Sequence, residues 1–302
     1  MNHIAFACTG KYNVSMNRLD GTRRAQVIRC LIEGSSINST VRMTGVAKNT
    51  VLKLLVEIGS ACSAFLDERM RNLQCRRLQA DEAWSFCYCK QKQVTPEMSE
   101  KRIAGDVWVW AAIDADTKLI PCWLLGKRDA GSATEFIQDL ANRLANRVQL
   151  TTDGLRVYVN AVIDAFADDI DYAMLHKIYG VEPANEARYS PAKCIGCETQ
   201  EVFGAPDPKH ISTSYIERQN LTMRMSMRRF TRLTNAFSKE IENHLAAVAL
   251  YMMYYNFGRK HLTLGTTPAV KAGITDHIWT VEEIIGLLES AEPKSTRAAT
   301  SN

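Results

Sequence analysis

Apolar residues at helical spacing occupy the first part of the chain. One run starts at Arg23 and ends before Gly34, and a shorter run, which polar side chains can cap, ends before Gly45. A third helix is predicted from Lys48, where apolar residues recur at positions i, i+3, i+4 and i+7, namely Val51, Leu54, Leu55 and Ile58. The pattern therefore predicts three helices in this part of the chain.

The outer face of the third predicted helix is basic and polar, and it carries Lys48, Asn49, Thr50 and Lys53. A helix, a short helix, a turn containing glycine and a helix with such a face make up the helix-turn-helix plan, although a generic three-helix bundle fits the same pattern. The residues that open the third helix favour DNA binding, because this end of a recognition helix enters the major groove. We predict an all-α helix-turn-helix domain over residues 17–66.

A basic connector, residues 67–77, follows the predicted helices, and Arg76 in it is a candidate phosphate contact. After this connector the sequence pattern changes. From Leu78 onward, stretches rich in β-branched and aromatic residues predict strands, and amphipathic stretches predict helices. The predicted strands cover residues 78–86, 106–113, 119–125, 148–152 and 172–178, and the predicted helices cover 132–144 and 157–166. Strands that first form hairpins and then alternate with helices predict an α/β fold, a mixed sheet with helices on its faces.

The last third of the chain shows weaker patterns. Residues 182–212 contain proline, glycine and cysteine and are predicted to form a loop. A long helical region is expected from Ser214 to about Tyr255, with a break near Thr231. The polar tail after Glu289 is predicted to be disordered.

Composition sets the class of protein. The 302 residues, 46% hydrophobic and 23% charged, suffice for one large domain with a real core plus a small one. No apolar run approaches the roughly 18 residues of a membrane span, and the N-terminus lacks the pattern of a secretory signal. The nine cysteines are scattered among apolar residues, which fits reduced thiols. We expect a cytoplasmic protein without membrane contact, whose net charge of +4 permits nucleic-acid binding without arguing for it.

Three acidic residues stand where the predicted sheet would present them. Asp81 and Asp153 end two predicted strands, and Glu217 lies on a predicted helix rich in arginine. Magnesium prefers carboxylate oxygens, and two such ions can clamp the attacking and leaving oxygens of phosphoryl transfer. Arg224 follows Glu217 by two helical turns, and Arg228 comes next, so basic side chains stand beside the acid where DNA phosphate would lie. An Asp at a strand end is more often a turn residue and a Glu on a basic helix more often an ion-pair partner, so the pattern alone leaves both interpretations open.

Several stretches resemble a known family. The matching stretches are residues 45–51, 81–86, 112–119, 149–154 and 215–224, and the last of these, which contains Glu217 and Arg224, is long and specific. They are similar to the transposases of the insertion-sequence-one family, in particular the forms made as one open reading frame, and the resemblance covers residues 17 to about 285. The chain departs from the family pattern at Ala83 and Leu155, neither of which is a candidate ligand.

The resemblance implies an RNase H-like mixed sheet flanked by helices over residues 78–260, followed by a C-terminal segment, 261–302. It implies that Asp81, Asp153 and Glu217 hold two magnesium ions, with manganese able to substitute, and that Arg224 is the basic residue after the Glu. It also implies cut-and-join chemistry on the terminal inverted repeats of an element and on target DNA. We expect a homo-oligomer on DNA, associated with the nucleoid of a prokaryote.

Other interpretations of the pattern remain open. A helix-turn-helix regulator shares the N-terminal domain, a nuclease of the same fold shares the acids, and an inactive transposase remnant shares both. Zinc is disfavoured, because Cys194 and Cys197 make only half of a site that Cys87 and Cys89 would have to complete. Residues 1–16 form a leader without periodicity, which we expect to be disordered. The resemblance begins at Met16, which favours this residue over Met1 as the true start, with a genuine N-terminal arm as the alternative.

Overall fold

The computed structural model describes residues 19–101, 103–180, 194–231 and 236–290, so the predicted leader and the predicted disordered tail lie outside the described residues. Three helices open the described chain, α1 (Gly21–Ile32), α2 (Ile37–Thr44) and α3 (Lys48–Arg69). The side chains of Asp20 and Ser36 accept backbone N–H groups in the first turns of α1 and α2 and thereby cap these helices. Gly45 closes α2 with a φ of 67°, in the left-handed region that glycine adopts without strain. Three helices are thus confirmed in this part of the chain.

A six-stranded mixed sheet forms the centre of the protein. Its strands are β1 (Arg77–Cys87), β2 (Gly105–Asp114), β3 (Trp123–Gly126), β4 (Val148–Asp153), β5 (Ile170–Tyr179) and β6 (Cys194–Phe203). They lie in the order β3-β2-β1-β4-β5-β6. The pairs β1–β2, β2–β3 and β5–β6 are antiparallel, whereas β1–β4 and β4–β5 are parallel. The predicted mixed α/β sheet is therefore confirmed.

Seven further helices follow along the described chain, and four of them contact the sheet. They are α4 (Pro96–Lys101), α5 (Ala130–Ala141), α6 (Val157–Phe166), α7 (Ser214–Ser226), α8 (Ile241–Met253), α9 (Pro268–Lys271) and α10 (Val281–Ser290). Trp110 of β2 packs against Phe136 of α5 and Tyr158 of α6, which places these two helices on one face. On the other face, Gln79 of β1 contacts the start of α7 and Ser85 of β1 hydrogen-bonds with a histidine of α8. Side chains of consecutive residues in β1 therefore point alternately toward α5 and α6 on one face and toward α7 and α8 on the other.

Helix α3 joins the N-terminal helices to the sheet region. It packs along α8, and Gly59 allows the closest approach, since a Cβ atom there would lie 2.4 Å from the Cα atom of Ala246. Its buried face shares one apolar core with the sheet and with α10. Among the described residues it is also the one helix that length and composition alone would allow to cross a membrane, which is weak evidence by itself. Its end at Arg69 lies inside the predicted connector, 67–77.

Three predicted elements differ in the structure. The third strand is shorter than predicted, because residues 119–122 lie outside the strand and Ile120 instead pairs its backbone with the side chain of Asn256. Residues 194–203 lie in the segment predicted as loop, yet they form the edge strand β6. The long helical region does break before Thr231, but α7 already ends at Ser226, so Arg228 does not lie on the helix of Glu217.

Candidate active site

Two acidic side chains meet because their strands are parallel neighbours. The β1–β4 register ends with Ala80 opposite Thr152, so Asp81 and Asp153 occupy the next position on the two strands. Asp153 also accepts the backbone N–H of Leu155, which turns the chain away from the sheet. Carboxylate oxygens of Asp81, Glu82 and Asp153 all lie within 4.8 Å of one another, and among the described residues this is the one group of three or more potential metal ligands. The sheet therefore builds an acidic cluster at one end of the parallel ladder.

Helix α7 is held against this cluster by hydrogen bonds from two positions. The buried side chain of Gln79 accepts the backbone N–H groups of Tyr215 and Ile216 at 2.8 and 3.2 Å and so caps the first turn of α7. One turn later, Asn220 donates from its side-chain amide to Asp81 Oδ2 at 2.8 Å. Because Gln79 and Asp81 are alternate residues of β1, both contacts come from the same face of the sheet. The face of α7 that carries Asn220 is thereby directed at the cluster.

Glu217 lies between these two contacts and has partners of its own. Its carboxylate accepts hydrogen bonds from Thr213 Oγ1 at 2.5 Å and from the ammonium group of Lys177 on β5. Glu217 is outside the 4.8 Å group of acids, yet its charge reaches Asp81 and contributes to the raised pKa of that residue. The structure thus brings Asp81 and Asp153 together directly and places Glu217 beside them.

The carboxyl groups of Asp81 and Glu82 have raised pKa values. Burial, followed by the charge of Asp153, raises the pKa of Asp81 to about 6. Burial and the same neighbour raise the pKa of Glu82 to about 7. A cation in the cluster would favour the ionised form of both groups.

Glu82 and Arg128 belong to this site, although neither was predicted. The side chain of Glu82 is fully buried, and its Oε2 atom accepts a hydrogen bond from Arg128 Nε at 3.1 Å. The guanidinium group of Arg128 also lies 3.6 Å from Asp153 Oδ2 and 5.0 Å from the ring centre of Trp108. Arg128 therefore bridges two of the three clustered acids while its side chain stays 39% exposed. The second buried oxygen of Glu82 makes no hydrogen bond, and the buried hydroxyl of Tyr158 nearby makes none of standard geometry either.

These features fit a divalent cation. The three clustered side chains offer oxygen atoms only, which suits a hard ion such as magnesium or manganese. The buried Oε1 atom of Glu82 has the Tyr158 hydroxyl beside it but makes no hydrogen bond of standard geometry. Burial, followed by the charge of Asp153, raises the pKa values of Asp81 and Glu82, and a cation bound between these carboxylates would offset both contributions.

The candidate DNA-contacting residues lie at the start of α3, before β1 and on or after α7, and Lys48 and Arg228 line one shared pocket. Lys48 and Asn49 are exposed at the start of α3, Thr50 is half-buried there, and Lys53 is exposed one turn later with Glu57 at 3.8 Å. Arg76 is exposed just before β1, and Arg228 is exposed after α7. Arg224 is half-buried on the helix of Glu217. Exposed groups can reach a phosphate without moving the fold.

Arg229, in the basic segment after α7, makes an interior contact. Burial lowers the pKa of Arg229 to about 10, and its guanidinium group donates to Ser238 Oγ, which also hydrogen-bonds with the buried His244. Arg229 thus stabilises the junction of this segment with α8.

Comparison with known proteins gives one match to a family. Residues 102–185 match the model of a DDE domain, that of the IS240 transposases. The matched segment contains Asp153, whereas Asp81 and Glu217 lie outside it. The match supports a DDE transposase and the use of a divalent metal ion, and it does not distinguish the insertion-sequence-one family or its single-frame form. A search of curated proteins finds no match.

Solved transposase structures show distant similarity. A Mos1 transposase paired-end complex with the left transposon end aligns with 54% of this chain at 13% identity and a TM-score of 0.23, and the aligned part spans 60% of that protein. A piggyBac transposase synaptic complex with hairpin DNA aligns with 95% of this chain and 77% of that one at 8% identity and a TM-score of 0.37. A Mos1 strand transfer complex aligns with 80% of this chain and 78% of that one at 11% identity and a TM-score of 0.24. Similarity at this level fixes neither the fold nor the activity.

Proposed function

We propose that this protein is a DNA transposase that binds the ends of an insertion sequence and catalyses metal-dependent strand cleavage and strand transfer. The observation that carries the proposal is the convergence of Asp81 from β1, Asp153 from β4 and Glu217 from α7 at one end of the parallel ladder. The match of residues 102–185 to a DDE domain supports the same chemistry. The single-frame insertion-sequence-one type, suggested by the motif around Glu217, is part of the proposal.

The catalytic region is proposed to have the RNase H-like fold. In support, β1 is central, β2 and β3 form an antiparallel meander on one side of it, and β4 and β5 add in parallel on the other side. Helix α6 is the crossover connection between the parallel strands β4 and β5, and α5 leads from β3 across the sheet to β4. Strand β6 extends the sheet beyond this arrangement.

Asp81, Asp153 and Glu217 are the proposed ligands of two magnesium ions, with manganese as a substitute. The bound metal would lower the pKa of a coordinated hydroxyl and stabilise the leaving oxygen of the phosphodiester. The protein's own groups orient the ligands. Asn220 holds Asp81 through Oδ2, Lys177 and Thr213 hold Glu217, and Arg128 holds Asp153.

Helices α1 to α3 are the proposed helix-turn-helix reader, with Lys48, Asn49, Thr50 and Lys53 at its DNA face. Arg76, Arg224 and Arg228 are proposed to contact phosphates near the acids. Exposure of Lys48, Asn49 and Arg76 supports these roles. We further propose that the protein acts as a homo-oligomer on DNA in the cytoplasm.

A cleavage and joining assay tests the proposal. The substrate is a labelled duplex that ends in the inverted repeats flanking the gene, and the target is a supercoiled plasmid. We expect nicking at the repeat ends and covalent joining of the label to the plasmid with magnesium, and neither product with excess chelator. Cleavage without joining would identify a nuclease, and specific binding without either product would identify a DNA-binding regulator.

Substitutions on α3 and on the connector should affect DNA binding in different ways. Replacing Lys48 or Asn49 by alanine should reduce the preference for end sequence over random DNA, because contacts with base edges carry specificity. Arg76→Ala should weaken binding to end DNA and to random DNA about equally, because a contact with a phosphate does not depend on the base sequence. Titrations of both DNAs at one fixed salt concentration measure the two effects. A uniform loss in all three variants would show that the start of α3 does not read bases.

Arg128 should act as a positioning residue for the metal site. Arg128→Ala should weaken manganese binding by roughly 10-fold or more, the usual cost of losing a group that orients metal ligands. The reason is that Asp153, with a side chain 35% exposed, loses the guanidinium group that lies 3.6 Å from its Oδ2 atom. Titration of the purified variant with manganese, followed by electron paramagnetic resonance, measures affinity without reference to activity. Arg128→Lys is the matched control, and it should bind manganese with intermediate affinity because it keeps the charge and loses the planar fork. Unchanged or tighter binding by the alanine variant would contradict this role.

A further inference from the structure

A β-bulge at the start of β6 places two cysteine side chains on one face. In the β5–β6 register Ile178 lies opposite Gly196 and Tyr179 lies opposite Cys194, so Ile195 is skipped. An extra residue of this kind restarts the alternation of side chains along a strand. Cys194 and Cys197, which a regular strand would direct to opposite faces, therefore lie on the same face.

The geometry of this pair differs from that of the other described cysteines. The sulfur atoms of Cys194 and Cys197 are 4.0 Å apart, and both residues are exposed. By contrast, the described cysteines inside the fold are buried, and burial raises their pKa values, as for Cys62, Cys75, Cys87 and Cys122. Reactivity of a thiol requires access and an ionised sulfur. The exposed pair is thus the place where oxidation could occur without unfolding.

We propose that Cys194 and Cys197 form a reversible disulfide by exchange with a low-molecular-weight disulfide. In the first step the thiolate of Cys194 attacks one sulfur of the small disulfide, giving a mixed disulfide and one small thiolate. In the second step the thiolate of Cys197 attacks the sulfur of Cys194 and releases the second small thiolate. The two protein thiols lose two electrons and two protons, and the small disulfide gains them as two thiols.

Desolvation, followed by the hydrogen bond with Cys194, raises the pKa of Cys197. The order of attack, Cys194 first and Cys197 second, is part of the proposal. The sulfur atoms must approach by about 2 Å to reach bonding distance. Both lie on β6, the last strand in the order of the described sheet.

The pair also lies next to the proposed catalytic acid. Lys177 is directly opposite Cys197 in the register, and its ammonium group makes the ion pair with Glu217. Closing the disulfide moves β6 at the residue that faces Lys177. Oxidation of the pair would thereby change the position of Lys177 and its ion pair with Glu217. An effect on catalysis rests on the proposed function, whereas disulfide formation itself does not.

Mass spectrometry of the full chain tests the proposal. The purified protein is equilibrated in glutathione buffers with an increasing fraction of oxidised glutathione and then alkylated with a maleimide. The mass of the intact protein is measured by mass spectrometry. We expect two thiols to become resistant to the maleimide together, with the disulfide located in the peptide that contains Cys194 and Cys197, and dithiothreitol should restore both. Glutathione attached without an internal disulfide, or two thiols that stay reactive throughout, would overturn the proposal.

Serine variants separate this pair from general thiol oxidation. Cys197→Ser should stop at the mixed disulfide and carry one glutathione on Cys194, whereas Cys89→Ser, at a half-buried cysteine outside the pair, should oxidise like the wild type. Magnesium-dependent DNA cleavage is then compared for reduced and oxidised protein. We expect several-fold slower cleavage after oxidation in the wild type and no dependence on glutathione in a variant with serine at both positions. Equal rates would overturn the link to Glu217. Absence of cleavage in both states would instead refute the proposed function and leave the mass result intact.

Discussion

Asp81→Asn is expected to abolish magnesium-dependent cleavage while leaving DNA binding within a few-fold of the wild type. The amide keeps the shape of the carboxylate but removes the charge that a divalent cation requires. No phosphate contact is lost, because Asp81 is directed at Asn220 and at the backbone of Glu82. Asp153→Asn and Glu217→Gln should behave in the same way. Cleavage on labelled end DNA and gel-shift binding of the same DNA measure the two properties, and metal-dependent cleavage retained by any one variant would remove that residue from the proposed ligand set.

Thermal unfolding without metal distinguishes lost chemistry from lost folding. The pKa of Asp81 is raised to about 6 in the folded protein from 3.8, so ionised Asp81 destabilises the metal-free fold above that range. The folded state binds the proton more tightly than the unfolded state, so this contribution to stability is full below pH 3.8 and is lost as pH rises through 6. We expect Asp81→Asn to melt no lower than the wild type at pH 7, and its relative stability should fall as the pH is lowered toward 4.

The acids of the site could be predicted because their positions have simple causes. Asp153 ends β4 as predicted, whereas Asp81 lies inside β1 and not at its end, and the parallel pairing of the two strands brings these positions together. Glu82 and Arg128 could not be predicted in this way. Glu82 is the next residue after Asp81 and belongs to the opposite face of β1, and its partner Arg128 lies in a connection whose local pattern carries no signal. Only the folded sheet brings the two together.

The sheet was predicted well where burial imposes a pattern. Strands β1, β2 and β4 are rich in apolar residues because helices cover both of their faces, and each was located within a few residues. The sequence predicts a loop at β6, because nearly all residues of this strand are exposed and a strand without a buried face has no apolar alternation to detect. Its cysteine pair acquired a shared face only through the bulge, which the sequence pattern does not show.

Gly59→Ala is expected to destabilise the protein by about 1–3 kcal/mol, the usual cost of an extra methyl group in a close-packed contact. A Cβ atom at this position would lie 2.4 Å from Ala246 Cα and 2.6 Å from its carbonyl oxygen, so α3 and α8 must separate to admit it. In an exposed helix the same substitution stabilises, because alanine has the higher helix propensity. The sign of the effect therefore reports the packing of α3 on α8 rather than the helix itself.

Gly286→Ala in α10 is the matched control for this prediction. Its added Cβ atom meets nothing within 4 Å, so we expect a gain of up to about 1 kcal/mol. Urea unfolding of both variants and the wild type measures the change in the free energy of unfolding, which we expect to be a loss for Gly59→Ala and a gain for Gly286→Ala. Because α3 is continuous from Lys48 to Arg69, roughly 33 Å at 1.5 Å per residue, a loosened contact at Gly59 should also alter how the proposed reader is held against the catalytic region. We therefore expect Gly59→Ala, and not Gly286→Ala, to relax the choice of cleavage position on end DNA. A stable Gly59→Ala variant would show that α8 yields at this contact and that α3 is not rigidly docked.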